Sequence, residues 1–232
     1  MLHKTRGIVL NHIKFKESSI IVKIFTEEFG VQSYIVNSIR SAKSKGKIAV
    51  FQPFTILDLV VYHQASKGIH RISEYKCIYP FSSIPFDIRK TSMVMFITEV
   101  LSKCIQSEES EPELFQFIVD SGLTFDRLKT HFENFHLRFL FQLTYHLGIQ
   151  PESVDVLYDS IFKDLRIKQE VQLTLLEISV FEELITKEYG EQFEVSSSLR
   201  KKFLLVLNDY YRLHIDHFGT LNSIRILNEV FH

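Results

Sequence analysis

Ten histidines and two cysteines are among the side chains of this 232-residue chain that could ligate a metal or serve as base or nucleophile. His214 and His217 stand three apart and can share a helix face, and His131 with His136 less well, but neither pair belongs to an HExxH motif. Metal ligation also needs a third and fourth ligand in a plausible place, and surface or satisfied core histidines are far commoner. Cys77 and Cys104 are too few for a disulfide framework or an all-cysteine zinc site, and read as small buried hydrophobes. There is no GxxxxGK[ST], GxGxxG or GxSxG pattern. Glu108, Glu109, Glu111 and Glu113 cluster, but a solvated loop between helices accounts for them better than a paired-carboxylate catalyst. A nuclease would need a metal-binding carboxylate set that is not evident. The expectation is a non-enzymatic protein with no metal and no cofactor.

The chemistry that does stand out is cationic. Arg40, Lys43, Lys45 and Lys47 fall within eight residues, interspersed with Ser, Ala and Gly, in a segment between two strand-like runs. Such side chains can reach a phosphate backbone without emptying a core, and their small neighbours let backbone amides approach it too. A solvated loop without a ligand is the competing reading, and the surrounding charge weighs against it. Residues 1–80 carry 12 Lys+Arg and 5 Asp+Glu, a net +7, whereas residues 81–232 carry 15 and 23, a net −8. That asymmetry points to a polyanion binding the first third. Lys14, Lys16, Lys23, Lys67 and Arg71 are candidate outward-facing partners for phosphates. Phe15, Tyr34 and Tyr62 are candidate base stackers, each with a core position as the alternative.

Positioning these residues falls to two kinds of element. Gly7–Leu10, Ser19–Phe25, Gln32–Val36, Phe54–Tyr62 and Gly68–Tyr75 are β-branched and aromatic runs that read as five strands. Ile20, Val22 and Ile24 alternate with Lys23, the period of a half-buried strand. A closed five-stranded barrel is expected, because a small open sheet would leave bare edges. After Pro80 and Pro85 the apolar period becomes helical: Met93, Phe96, Ile97, Val100, Leu101, Cys104 and Ile105 form one stripe. Ser110 with Glu113 fits a capping box opening a second helix, with Pro112 in its first turn. Gly122 and Gly148 read as helix stops around an aromatic segment that contains Phe132, Phe135, Phe139 and Phe141. Further helical stretches are Leu173–Tyr189, Leu199–His214 and Leu221–Phe231. The fold class is thus α+β, with a barrel over 1–80 and an α-helical domain over 81–232.

The composition, 45% hydrophobic and 24% charged, rules out disorder as the main state. The longest apolar runs, Met93–Ile97 and Phe203–Leu207, are far short of the ~20 residues a membrane helix needs. The N-terminus lacks the apolar core of a signal peptide, so a cytoplasmic protein without a membrane association is expected.

Several segments also resemble the RecO family of bacterial recombination mediators. They are Thr5–Leu10, Phe15–Gly30, the Arg40–Lys47 stretch, Gln52-Pro-Phe54, and near the C-terminus Tyr210–Ile215 followed by Leu221–Leu227. The resemblance spans nearly the whole chain and implies an N-terminal OB-fold. It further implies a DNA repair protein that binds single- and double-stranded DNA and anneals complementary strands. The implied partners are RecR and the C-terminal tail of the single-strand-binding protein, with which the recombinase is loaded. Location in the cytoplasm, at the nucleoid during repair, goes with this. Docking the acidic, Phe-ended tail would take an apolar pocket beside a cation, for which Arg127, Lys129, Arg138 and Arg200-Lys-Lys202 are available. Many family members carry a four-cysteine zinc module after the segment matching Tyr145–Gly148, but 151–168 has no cysteine here, and zinc is not expected. An OB-fold RNA-binding protein is the alternative, separable by comparing DNA with RNA of one sequence.

Overall fold

In a computed structural model, which describes residues 1–40, 46–64, 67–164 and 171–231, five strands precede seven helices. The strands are β1 (Leu2–Phe15), β2 (Ser19–Thr26), β3 (Gly30–Val36), β4 (Ile56–Tyr62) and β5 (His70–Cys77). They close into a barrel in the order β1-β2-β3-β5-β4, with β4 returning to β1. All neighbours are antiparallel except β3 and β5. This is the OB-fold arrangement, and it leaves no free sheet edge. The alternation read in β2 holds: Ile20, Val22 and Ile24 are fully buried and pack with Leu57, Leu59, Val61 and Tyr34, while Lys23 points outward.

The first strand is much longer than its apolar run Gly7–Leu10 suggests. Its first half, Leu2–Ile8, pairs with β4, and its second half, Gly7–Phe15, pairs with β2. A bulge between Val9 and Asn11 bends it from one partner to the other. Polar residues at both ends are tolerated because their backbone groups are satisfied across the sheet.

By packing, the chain divides into two compact units, Met1–Leu123 and Thr124–His232. Strands give way to helices between Cys77 and the start of α1 (Ile88–Cys104), and the first unit also holds α1 and most of α2 (Pro112–Arg127). Asp87 caps α1 by accepting from Arg89 N at 2.9 Å. The stripe Met93, Phe96, Ile97, Val100 and Leu101 is buried. Within this unit Phe115 of α2 packs on Phe25, ring centroids 5.7 Å apart, and Val31 N donates to Ser107 O at 2.9 Å. Two expectations fail here. Ser110 does not cap α2; its hydroxyl donates to Glu27 O at 2.7 Å and ties the loop to the barrel. Gly122 does not stop the helix but lies inside it, where a Cβ would come within 2.3 Å of the Phe54 ring. A glycine demanded by close packing is indistinguishable in sequence from a helix terminator.

The second unit holds α3 (Phe135–His146), α4 (Val154–Lys163), α5 (Leu175–Thr186), α6 (Ser197–His214) and α7 (Ser223–Val230). Gly148 does end α3, in the left-handed region at φ 69°, its N–H bonding to Tyr145 O. Thr174 and Glu177 form a full capping box on α5. Phe181 and Phe203 stack at 4.2 Å in the core, and the Tyr211 hydroxyl donates to Leu140 O at 2.7 Å. Phe132, Phe135 and Phe139 are buried, Phe141 half-buried. Helix α4 is not apparent in the sequence, since its 10 residues leave little room for a period to show. Among the described residues no helix is long and apolar enough to cross a membrane.

Candidate nucleic-acid interface

The barrel places residues of β1, β2, β3, β5 and β4 in one row on its outer surface. Ile13 stands opposite Ile21, Ile21 opposite Ile35, Ile35 opposite Arg71, and Arg71 opposite Tyr62, which in turn faces Leu2. Each position is one residue out of phase with the buried aliphatics of its strand, so each side chain points away from the core. Lys23 occupies the next row, opposite Asn11 and Ser33. Strands are spaced by about 4.8 Å, so β2 and β5 lie about 10 Å apart across β3, and Lys23 and Arg71 can contact neighbouring phosphates of one strand.

Two connections border this face. In the β1–β2 turn, Arg40 N donates to Ser18 O at 2.9 Å and its Nη1 to Lys16 O at 3.4 Å, while Lys16 Nζ lies 5.4 Å from the Phe15 ring centre. Arg40 and Lys16 are thereby brought together at one edge, where Glu17 supplies an opposing charge. In the β4–β5 connection, Lys67 is exposed and its N–H bonds to Gln64 O. Loops at these two places are the usual rims of an OB-fold ligand groove.

The remaining candidates are dispersed. Lys14 pairs with the inward-facing Ile20, and its side chain emerges at the barrel end and not on the Arg71 row. Lys47, exposed, opens the 3-10 turn Lys47–Phe51 after Gly46. Lys43 and Lys45 lie outside the described residues. Of the candidate stackers, Tyr62 is 46% exposed and Phe15 half-buried, whereas Tyr34 is in the barrel core and no stacking platform. Its register puts it on the inward phase of β3, and burial pushes its hydroxyl pKa up. The row Ile13–Ile21–Ile35 is invisible in the sequence because only strand register, not composition, makes those residues neighbours.

Cys77 and Cys104 are free and each only partly enclosed as residues, although the Cys104 thiol is deep enough that burial raises its pKa. No group of three or more His, Cys, Asp or Glu positioned to hold a metal occurs among the described residues, and His214 and His217 are both exposed.

The helical unit has a second polar feature. Arg138 is 6% exposed, its Nε has no hydrogen-bond partner among the described residues, and its guanidinium lies 4.7 Å from the centre of the Tyr189 ring. It lines a small cavity with Asn134, Phe135, Lys187, Gly190 and Phe193. Burial lowers its pKa, opposed by Tyr189, Glu191 and Glu188. Nearby Arg200 is tied down by bonds to Val195 O at 2.8 Å and Asn134 Oδ1 at 3.5 Å.

Family comparison agrees with this architecture. Residues 1–81 match the model for the recombination protein O N terminal domain, and residues 85–155 that for its C terminal domain. The chain is 33% identical over 240 residues to the DNA repair protein RecO of Phocaeicola vulgatus, covering all of both chains. It is 32% identical to RecO of Bacteroides fragilis, again over the whole of both, and 34% identical to RecO of Flavobacterium johnsoniae over 98% of each. The chain belongs to the RecO family of DNA repair proteins. Its barrel is the RecO OB-fold, and the first RecO family model ends where β5 has been completed. The second runs through α1, α2 and α3 to the start of α4.

Proposed function

We propose that this RecO family protein is a recombination mediator that binds single- and double-stranded DNA and anneals complementary strands, without making or breaking a bond. The observation that carries this reading is the outer barrel face, where Lys23 and Arg71 flank an aliphatic floor and Lys16 and Arg40 stand at its edge. None of the four forms an ion pair among the described residues, so each is available to a phosphate. The other barrel cations Lys14, Lys47 and Lys67 add positive charge to this domain. Annealing two polyanions needs their repulsion neutralised without base-specific contacts, which a dispersed cationic surface supplies.

In this reading the protein acts in the cytoplasm, at the nucleoid during repair, with RecR and the single-strand-binding protein to help load the recombinase. Beside the small cavity of Arg138, Phe135 and Phe193, where Lys187 offsets the Glu191 carboxylate on the same wall, the helical unit offers the cations and aromatic side chains that an acidic peptide ending in Phe would use. The test is DNA binding and strand annealing by the full chain over a salt series. With about five phosphates neutralised, log K for single strands falls against log salt with a slope of roughly −3 to −4. Binding that ignores salt, or absence of annealing by a protein that binds both strands, overturns the reading.

A further inference from the structure

Resting on the proposed DNA-binding reading, we propose that Tyr62 and Arg71 form a clamp for one unpaired nucleobase, so that the barrel face distinguishes single strands from duplex. The two are direct cross-strand neighbours on β4 and β5. Facing pairs on one side of a sheet have Cβ atoms about 4.5–5.5 Å apart, close enough for ring and guanidinium to work on one ligand. Both side chains point outward, away from the inward Val61 and Ile72. Tyr62 is 46% exposed, and neither its hydroxyl nor the Arg71 guanidinium has a partner among the described residues.

The surroundings favour a base over other occupants. Leu2, on the other side of Tyr62, and Ile69, two residues before Arg71, are both about half exposed, giving apolar flanks to a flat ring. Lys23 and Lys67 supply cations for the phosphates on either side, with Glu74, paired to Val60, the acid on the adjoining row. Charge thus complements a polyanion with an apolar face, and a nucleotide is one. Among the three tyrosine and phenylalanine candidates, Tyr34 is buried and Phe15 lies under Lys16, which leaves Tyr62 as the open ring on this row. The floor beside it is Ile35, Ile21 and Ile13, which offers no further aromatic stack. One stacked base with phosphate contacts around it is sequence-tolerant yet requires that base to be out of a duplex.

The chain has no tryptophan, so Tyr62→Trp installs the only indole in the protein. The experiment uses the full chain with homopolymeric and mixed single-stranded DNA and with blunt duplex, followed by fluorescence anisotropy of labelled DNA and by indole emission. Single strands quench the indole of Tyr62→Trp; duplex bound to the same extent does not. The control Tyr145→Trp, at an exposed position at the end of α3, shows no quenching by either. Tyr62→Ser weakens single-strand binding about tenfold, within the range for loss of one stacked base, and leaves duplex affinity within twofold. Tyr62→Phe keeps single-strand binding, because the ring and not the hydroxyl carries the stack, and the retained duplex affinity of Tyr62→Ser excludes a folding defect as the cause of its loss. Equal quenching by single strands and duplex, or unchanged single-strand affinity in Tyr62→Ser while the wild type binds DNA, overturns the clamp and leaves the DNA-binding reading in place. A wild type that binds no DNA by anisotropy removes both.

Discussion

Arg6 of β1 grips Glu27 of the β2–β3 turn with two parallel hydrogen bonds, Nε to Oε2 at 2.8 Å and Nη2 to Oε1 at 2.6 Å. The same Nη2 reaches Gln116 Oε1 at 3.1 Å, and the guanidinium lies 5.2 Å from the Phe115 ring centre. One of the barrel's cations is therefore spent internally, tying β1, the turn and α2 together. The bond to Glu27 raises the Arg6 pKa, and the bond to Arg6 lowers that of Glu27. Arg6→Ala is expected to cost about 1–2 kcal/mol, the value of a partly exposed charge-assisted pair, and to leave DNA affinity within twofold. Chemical denaturation and anisotropy on one preparation check this; a large affinity loss without destabilisation would place Arg6 among the DNA contacts.

Gly122→Ala is expected to destabilise the protein although alanine is the better helix former. The added Cβ meets Phe54 Cε1 at 2.3 Å. Phe54 cannot retreat easily: it is 2% exposed, its φ is 70°, and its N–H bonds to Val9 O at 2.7 Å. Overpacking of about 1–3 kcal/mol outweighs the helix-propensity gain of about 1 kcal/mol. A variant as stable as the wild type would mean that the ring moves freely.

Acid should loosen the barrel before it reaches the carboxylates. His63 stacks between Phe29, at 4.2 Å, and His70, at 4.4 Å. Burial lowers both histidine pKa values; His3 and the N-terminal amine push the same way on His63, Lys67 and His63 itself on His70, and Glu108 opposes on both. A histidine with a depressed folded pKa binds fewer protons than in the unfolded chain. Its contribution to stability is present above the unfolded value of about 6.5 and is lost as pH falls toward the folded one. Glu27, also depressed, continues the loss at lower pH. Unfolding midpoints should decline from about pH 7.5 to pH 5.5, with a shallower decline in His70→Phe. An identical slope in that variant would assign the decline elsewhere.

Much of this was legible because it is periodic. Ile20, Val22 and Ile24 against Lys23 announce a half-buried strand, and the Met93–Leu101 stripe announces α1, since burial on one face writes its period into the chain. What is not periodic was not legible. The Ile13–Ile21–Ile35–Arg71–Tyr62 row depends on the register of four strand pairs, two of which carry bulges. Ser110 carries the same residue pattern whether it caps a helix or bonds to Glu27 O. Tyr34 sits in an alternating run whose phase, core or solvent, is fixed only by the pairing of β3.

The basic segment can be separated from the barrel by one multiple variant. Replacing Arg40, Lys43, Lys45 and Lys47 with Ala is expected to weaken DNA binding uniformly across sequences. The single-strand salt slope should become shallower by about 0.7 for each phosphate that is no longer neutralised. Exposed charges such as Arg40 and Lys47 change stability by no more than about 0.5 kcal/mol each, and Arg40 keeps its backbone bond to Ser18 O. Annealing should fall further than binding, because two strands must be neutralised at once. Unchanged affinity with unchanged melting would leave these residues as a solvated loop.

Arg138 offers the sharpest contrast between stability and binding. A guanidinium that is 6% exposed, with its Nε unpartnered among the described residues and burial depressing its pKa, has given up hydration for the Tyr189 ring and the non-bonded charges of Glu191 and Glu188. Charged groups are seldom buried without a partner, because desolvation costs several kcal/mol per ion. Methionine fills a similar volume with no charge to desolvate, so Arg138→Met is expected to be neutral or to raise the melting temperature by a few degrees. If the cavity receives an acidic, Phe-ended peptide, the same variant removes the carboxylate's partner, and peptide affinity falls at least tenfold by calorimetry. Arg200, held by Val195 O and Asn134, remains as an internal comparison: Arg200→Met removes those bonds and is expected to lower melting. Peptide binding that survives Arg138→Met, together with a fall in melting temperature, would make Arg138 a structural cation and move the peptide site elsewhere on the helical unit.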